Sequence, residues 1–364
     1  MARGQAETLG QTIQRHFETS TYWEFEKSLG NGGYGLAILL RQKAGFGSDG
    51  RRIALKVALP REAQSLRDEI NWLKVRIAVL YLTSCDNAAQ PDWESNPRIL
   101  EQQPLPAQTA FNSLVQLEGP VVALEYIENG DLLSLFYRMM DEDAHMPNRM
   151  IWSLFLCLIR ACIGMAYPIG SSLDIEPILE TMPRDGRPPR GITHNDIALR
   201  NIMLGEPDDL PEHRIGHIYK HIDFGLTGEL SVPASAPGRN LFAIAQDKRS
   251  PFLREQIVGY MIKMADLNMR TTQLHKGFET FGGEFLRQSW GNPYPWLDKD
   301  LAELIAECLY EDSAHRPSLQ TALMRASDAV MNKRPRDFRN PREENDDAIN
   351  SFVQRSVPVR PVVP

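Results

Sequence analysis

The chain has 364 residues, 42% of them hydrophobic and 24% charged, with 25 glycines and 25 prolines, a balance that suits a globular protein with a large core and excludes collagen, wholesale disorder and mini-protein scaffolds. Its 40 basic and 47 acidic side chains leave a formal net charge of −7, so no global positive field draws it to nucleic acid or anionic lipid. The four cysteines, Cys85, Cys157, Cys162 and Cys308, have neither paired zinc spacing nor the density of a disulfide scaffold, so buried free thiols in a reducing, intracellular setting are expected.

At roughly 150 residues per domain the length favours two packed units. Residues 1–20 form a polar leader without the apolar stretch of a secretory signal. Three strand-like runs follow, YWEFEKSLG, GYGLAILLRQ and RRIALKVAL, separated by turn residues as in an antiparallel meander. Over 62–82 the spacing becomes helical, with Leu66, Ile70, Leu73 and Ile77 on one face. The polar stretch 83–108 carries Pro91, Pro97, Pro104 and Pro106 and reads as a surface insertion. Strand character returns in FNSLVQLEG and PVVALEYI.

Beyond ENGD at 128–131 the pattern is mainly helical, with helices expected near 149–167, 240–267, 300–311 and 317–330 and short strands at NIML and IYKHIDF. The run 150–168 is apolar enough to raise a membrane question, but Arg160 lies in its middle, where a charge costs about 2.5–3.5 kcal/mol. A buried core helix is the better assignment. Loops at 169–190 and 206–214 read as further insertions, and the charged, proline-bearing tail from Asn332 as disordered. The chain thus divides into a leader at 1–20, a β-rich lobe at 21–128 that includes the insertion, a helical lobe at 129–331 and a tail at 332–364.

Several residues carry chemistry. GNGGYG at 30–35 sets Gly30, Gly32 and Gly35 between two strands, where a hairpin without Cβ atoms lets backbone amides approach phosphate oxygens. The next strand holds Lys56, a point charge suited to phosphate. Burying such a lysine requires a carboxylate. Glu69, beside Ile70 on the apolar face of the helix, is preferred to Glu62. Further on, GITHNDIALRNIML supplies His194, Asp196 and Asn201, and HIDFG supplies Asp223, Phe224 and Gly225. Asp196 is placed to orient a hydroxyl, while the amide oxygen of Asn201 and the carboxylate of Asp223 suit a hard cation such as Mg²⁺.

The ordered set GxGxxG, IALK, Glu69, HNDIALRN and IDFG resembles the catalytic domain of eukaryotic protein kinases over residues 21–330. The resemblance implies an α+β, bilobal protein-kinase-like fold: a small antiparallel β-sheet lobe with one helix, and a larger, mainly α-helical lobe. It implies ATP and Mg²⁺ as cofactors, with Gly30, Gly32, Gly35 and Lys56 on the phosphates and Glu69 pairing Lys56. Asp196 would be the catalytic base, and Asn201 and Asp223 the metal ligands. ALEYIENGD at 123–131 is similar to the hinge of that family: Leu124 as gatekeeper, the backbone of Glu125 and Ile127 facing adenine, Asp131 near the ribose, and Ala54 over the base. Arg316 in AECLYEDSAHRPS resembles a structural clamp.

Departures matter as well. Asn195 stands where most members have the arginine that pairs with a phosphorylated activation loop, so that switch is expected to be absent. Ala198 and Arg200 are closer to the tyrosine-kinase form of the loop. The segment after Gly225 lacks APE, which shortens the peptide platform. The expected function is Mg²⁺-ATP-dependent phosphoryl transfer to a protein hydroxyl, serine or threonine, in the cytoplasm or nucleus, with no nucleic-acid or membrane partner. A pseudokinase that binds without catalysis, or a kinase-like phosphotransferase for small molecules, are the alternatives.

Overall fold

The computed structural model describes residues 2–31, 35–44, 50–76, 83–84, 119–167, 179–187, 189, 192–208, 210–229, 272–286 and 293–356. The fold is mixed α+β with a small antiparallel sheet and several helices. The described residues form two compact units that meet in sequence between Tyr126 and Ile127, two residues before the boundary expected from the sequence.

The first unit is a five-stranded antiparallel sheet in the order β1-β2-β3-β5-β4, built from β1 (Trp23–Asn31), β2 (Gly35–Gln42), β3 (Arg52–Ala58), β4 (Thr83–Ser84) and β5 (Val121–Glu125). Side chains alternate between faces along a strand. In β3 this buries Ile53, Leu55 and Val57 in one core, together with Trp23, Leu36, Ile38, Leu40, Val121 and Ala123. The register pairs Ala54 with Leu39 on one side and Leu124 on the other, and Lys56 with Ala37 and Val122, so these six residues share the opposite face.

A helix, α1 (Ala2–Glu18), covers the core face and seats Ile13 and Phe17 in it, with Leu9 packed alongside. The leader expected to be merely polar is therefore an integral element. Leu9, Ile13 and Phe17 are four apart, a narrow apolar stripe that repeats with the helical turn. Helix α2 (Ala63–Arg76) follows β3 and buries Leu66, Ile70 and Leu73, as the spacing predicted. Of the expected insertion only Thr83 and Ser84 are described, and they pair with β5. The strand predicted at FNSLVQLEG, apart from Gly119, and the position of Ile77 lie outside the described residues.

In the second unit, α3 (Leu132–Asp141) starts at Asp131, whose carboxylate accepts the Ser134 N–H at 2.8 Å and the Ser134 hydroxyl at 3.1 Å. This side-chain cap satisfies one of the orphan amides of the first turn. Helix α4 (Asn148–Ala166) is long and apolar enough to cross a membrane, and most of it is buried within the protein. The charged residue in its middle, Arg160, donates to Glu212 at 2.8 Å and to the Glu180 carbonyl at 2.5 Å. Glu212 and its neighbour His213 sit in a 3-10 turn in the loop expected to be a surface insertion. Both are buried, because Arg160 needs a carboxylate and Cys157 packs on the His213 ring, with Sγ 3.7 Å from Nε2. Burial pushes the thiols of Cys157, Cys162 and Cys308 up to about 12, and all three are free. Cys85 lies outside the described residues.

Four short strands follow: β6 (Ile192–Thr193), β7 (Ile202–Gly205), β8 (Ile218–His221) and β9 (Gly228–Glu229). β7 pairs with β8, and β6 with β9. The hairpin of β10 (Gln273–His275) and β11 (Phe278–Thr280) turns at Lys276 and Gly277, both with positive φ. Helices α5 (Lys299–Cys308) and α6 (Leu319–Asn332) match the two late helices read from the sequence. The helix predicted at 240–267 lies outside the described residues. Arg316 is buried and donates to the carbonyls of Tyr310 and Glu311.

The tail is not disordered over the described residues 333–356. It forms α7 (Asp346–Ser356), which buries Ile349 and Phe352 and packs against α3. Before it, Glu344 inserts its carboxylate at the N-terminus of α4 and accepts from the Asn148 N–H at 2.8 Å, the Asn148 Nδ2 at 2.9 Å and the Arg149 N–H at 3.0 Å. Arg149 returns bonds of 2.7 Å to the Glu344 carbonyl and to Asp346. Charge density alone suggested a solvated end. Two of these charges, Glu344 and Asp346, instead serve one helix terminus, where a negative group is favourable.

Candidate active site

In the first unit, Lys56 projects from β3 on the face that also carries Ala54, and its Nζ lies 2.6 Å from Glu69 Oε2 on α2. Glu69 is only 2% exposed. An ionised carboxylate at such burial is tolerable only with a paired charge and hydrogen bonds, which explains why Lys56 meets Glu69 rather than Glu62 in the 3-10 turn before α2. Ala54 lies between Leu39 and Leu124 in the sheet register, a small side chain on the Lys56 face. Glu125 ends β5 with its side chain exposed, and Ile127, the first residue of the second unit, is buried.

At the glycine-rich turn, Gly35 opens β2 so close to β3 that a Cβ would stand 2.4 Å from the Val57 carbonyl oxygen. Only glycine fits there. Gly30 ends an irregular register of β1 against β2, and a Cβ on it would meet nothing within 4 Å. Gly32 lies outside the described residues.

The second unit brings together Asp196, Asn201 and the Asp223 turn. Asn201 Nδ2 donates to the Asp196 carbonyl and to its Oδ2, both at 2.9 Å. With the amide nitrogen turned toward Asp196, the oxygen Oδ1 is the Asn201 atom left to face a cation. Arg200 Nη2 reaches both Asp196 oxygens, at 2.9 and 2.8 Å, although the Arg200 side chain is 58% exposed. The Asn201 carbonyl accepts the Ile222 N–H at 2.9 Å, which ties the residue before Asp223 to the Asp196 loop.

Buried His194 joins the same two segments. Its Nε2 lies 3.0 Å from the Ile222 carbonyl, and its Nδ1 lies 3.3 Å from the Asp196 N–H. A carbonyl needs a donor and an N–H needs an acceptor, so the ring is the neutral Nε2–H tautomer. Burial lowers its pKa from the ordinary value, against the opposing pull of the Ile222 carbonyl and the charges of Asp196 and Asp223. The imidazole also packs against Phe224 in a tilted arrangement, with ring centres 4.6 Å apart and planes at 49°.

Asn195 and Asp223 both have left-handed backbone, with φ of 60° and 65°. Outside glycine such conformations are uncommon and cluster at functional sites, where surrounding contacts hold them. Asn and Asp adopt them most readily. Asp131, expected near a ribose, caps α3, with both of its carboxylate oxygens engaged with Ser134.

Asn201 and Asp223 offer oxygen donors, the type that suits Mg²⁺. Among the described residues no group of three or more His, Cys, Asp or Glu side chains could hold a metal ion. A Mg²⁺ site of one or two protein oxygens, completed by phosphate and water, needs no such group. The role of the Asn195 side chain was not legible in the motif, because the Leu226 carbonyl it bonds is brought near only by the folded loops, whereas Arg200 meets Asp196 four residues away. No family model matches the chain, and no curated protein matches it.

Proposed function

We propose that this protein is a divergent protein kinase with a bilobal kinase-like fold that transfers the γ-phosphoryl group of ATP to a serine or threonine hydroxyl of a protein. The observation that carries this reading is the Lys56–Glu69 pair at 2.6 Å, with the lysine on the third strand and a buried glutamate on the helix after it. That pairing supports Lys56 as the cation for nucleotide phosphates, held by Glu69 with Gly30, Gly32 and Gly35 near the same phosphates and Ala54 beside the base. Asp196, positioned by Asn201 and Arg200, accepts the proton of the attacking hydroxyl. Asn201 and Asp223 would hold Mg²⁺, which supplies neutralisation of phosphate charge when bound. Phosphoryl transfer needs positioning and electrostatic stabilisation more than covalent help, and these side chains are of the kind that provides both.

The experiment is a radiolabelled ATP assay on mixed protein substrates with and without phosphatase pretreatment. Label transferred by the wild type after phosphatase treatment, and lost in Lys56→Met, supports an ungated kinase. Nucleotide binding without any turnover would favour the binding-module reading, which the missing APE supports. Label found on a small alcohol and on no protein would favour the small-molecule reading.

A further inference from the structure

Three consecutive side chains of the Asp196 loop each bond a carbonyl of the segment that carries Asp223. Thr193 Oγ1 donates to the Gly228 carbonyl at 3.3 Å, His194 Nε2 to the Ile222 carbonyl at 3.0 Å, and Asn195 Nδ2 to the Leu226 carbonyl at 3.0 Å. The backbone continues the clamp, with Thr193 opposite Gly228 in the β6–β9 pair. The turn itself closes with the Thr227 N–H on the Phe224 carbonyl at 3.1 Å. At Gly228 a Cβ would lie 3.4 Å from Asn195 Nδ2, so the amide rests against a residue without a side chain.

We infer that Asn195 is a positioning residue: an uncharged latch whose amide, bonded to the Leu226 carbonyl, holds the turn after Asp223 against the Asp196 loop. Its left-handed φ of 60° aims the side chain across to Leu226, and asparagine combines tolerance of that conformation with a strong neutral donor. An arginine at this position would answer to the charge of a neighbouring segment. An amide bonded to a carbonyl does not. The metal-positioning consequence rests on the kinase reading of Asp223, whereas the latch itself does not.

Hydrogen exchange on the full chain, without nucleotide, compares the wild type with Asn195→Gly and Asn195→Ala. Glycine relieves the backbone and lacks the donor, so it separates the bond from the conformation. Amides within 222–228 should exchange about five- to tenfold faster in both variants, in line with the loss of one hydrogen bond, while the melting temperature holds. Wild-type exchange rates in Asn195→Gly would overturn the latch. In parallel, the Mg²⁺ concentration needed for half-maximal ATP binding should rise several-fold in Asn195→Gly, with metal-free binding unchanged. An unchanged Mg²⁺ requirement beside faster exchange would overturn the positioning role. Faster exchange in a protein whose wild type binds no Mg²⁺-ATP would sink the kinase reading and leave the latch standing.

Discussion

Replacing Glu344 with alanine tests whether the C-terminal segment is a working part of the second unit. The carboxylate is 1% exposed and accepts three hydrogen bonds at the start of α4, two of them from backbone amides. An N-terminal cap contributes about 0.5–2 kcal/mol. A buried amide left without an acceptor costs about 1–3 kcal/mol. The Asn148 side-chain amide keeps a second acceptor in the Trp296 carbonyl, so its share is small. The expected loss is about 3 kcal/mol for Glu344→Ala, and about half that for Glu344→Gln, which retains an acceptor but not the charge that complements the helix dipole. Because the chain has two units, a single global unfolding energy is poorly defined. Exchange protection of the α4 amides after Arg149 reports the local effect. A change below about 0.5 kcal/mol in Glu344→Ala would refute the cap, since burial and bond count leave no way for so small a cost.

Glu69→Gln should weaken ATP binding while the chain stays folded, because Lys56 loses its charged partner at 2.6 Å but keeps an acceptor of the same shape; isothermal titration checks this, and undiminished affinity would count against the pairing role. Phe17→Ala should cost about 3–5 kcal/mol in the first unit, the range for a buried aromatic, read as a lower urea midpoint; a shift within error would mean that α1 is not docked. A pH dependence follows from His217, whose pKa burial lowers despite its bond to the Gly205 carbonyl and the charge of Glu206, with Arg138 adding to the lowering. Its folded value lies below the unfolded one near 6.5, so the unfolded chain binds more protons as pH falls through that range. Stability is therefore full above about pH 6.5 and is lost below it, with a slope approaching about 1.4 kcal/mol per unit for this group. His217→Gln should flatten the loss between pH 6.5 and 5, measured by urea melts, and an unchanged slope would show that His217 is not its source.

Local periodicity made much of the fold legible. β3 alternates, α2 repeats every three or four residues, and together these two rhythms set Lys56 and Glu69 toward each other. Where polar residues are dense, composition misled. The stripe Leu9, Ile13, Phe17 and the pair Ile349, Phe352 each bury only a few apolar residues per helix, too few to dominate an average. Contacts distant in sequence were invisible for a different reason. Arg160 finds Glu212 and Glu344 finds Asn148 across 52 and 196 positions, and no spacing rule links such pairs. At the candidate site, residue identity announced Asp196, Asn201 and Asp223, whereas the carbonyl that Asn195 holds exists only once the two loops lie side by side.

The most direct measurement is transfer of label from γ-labelled ATP to protein by the wild type and by Asp196→Asn, each with Mg²⁺ and with a chelator. Transfer should require Mg²⁺ and fall by about 100-fold or more in the variant, the scale on which a positioned general base contributes. Equal labelling by Asp196→Asn and the wild type would contradict the assignment of Asp196 as the base and the kinase reading with it.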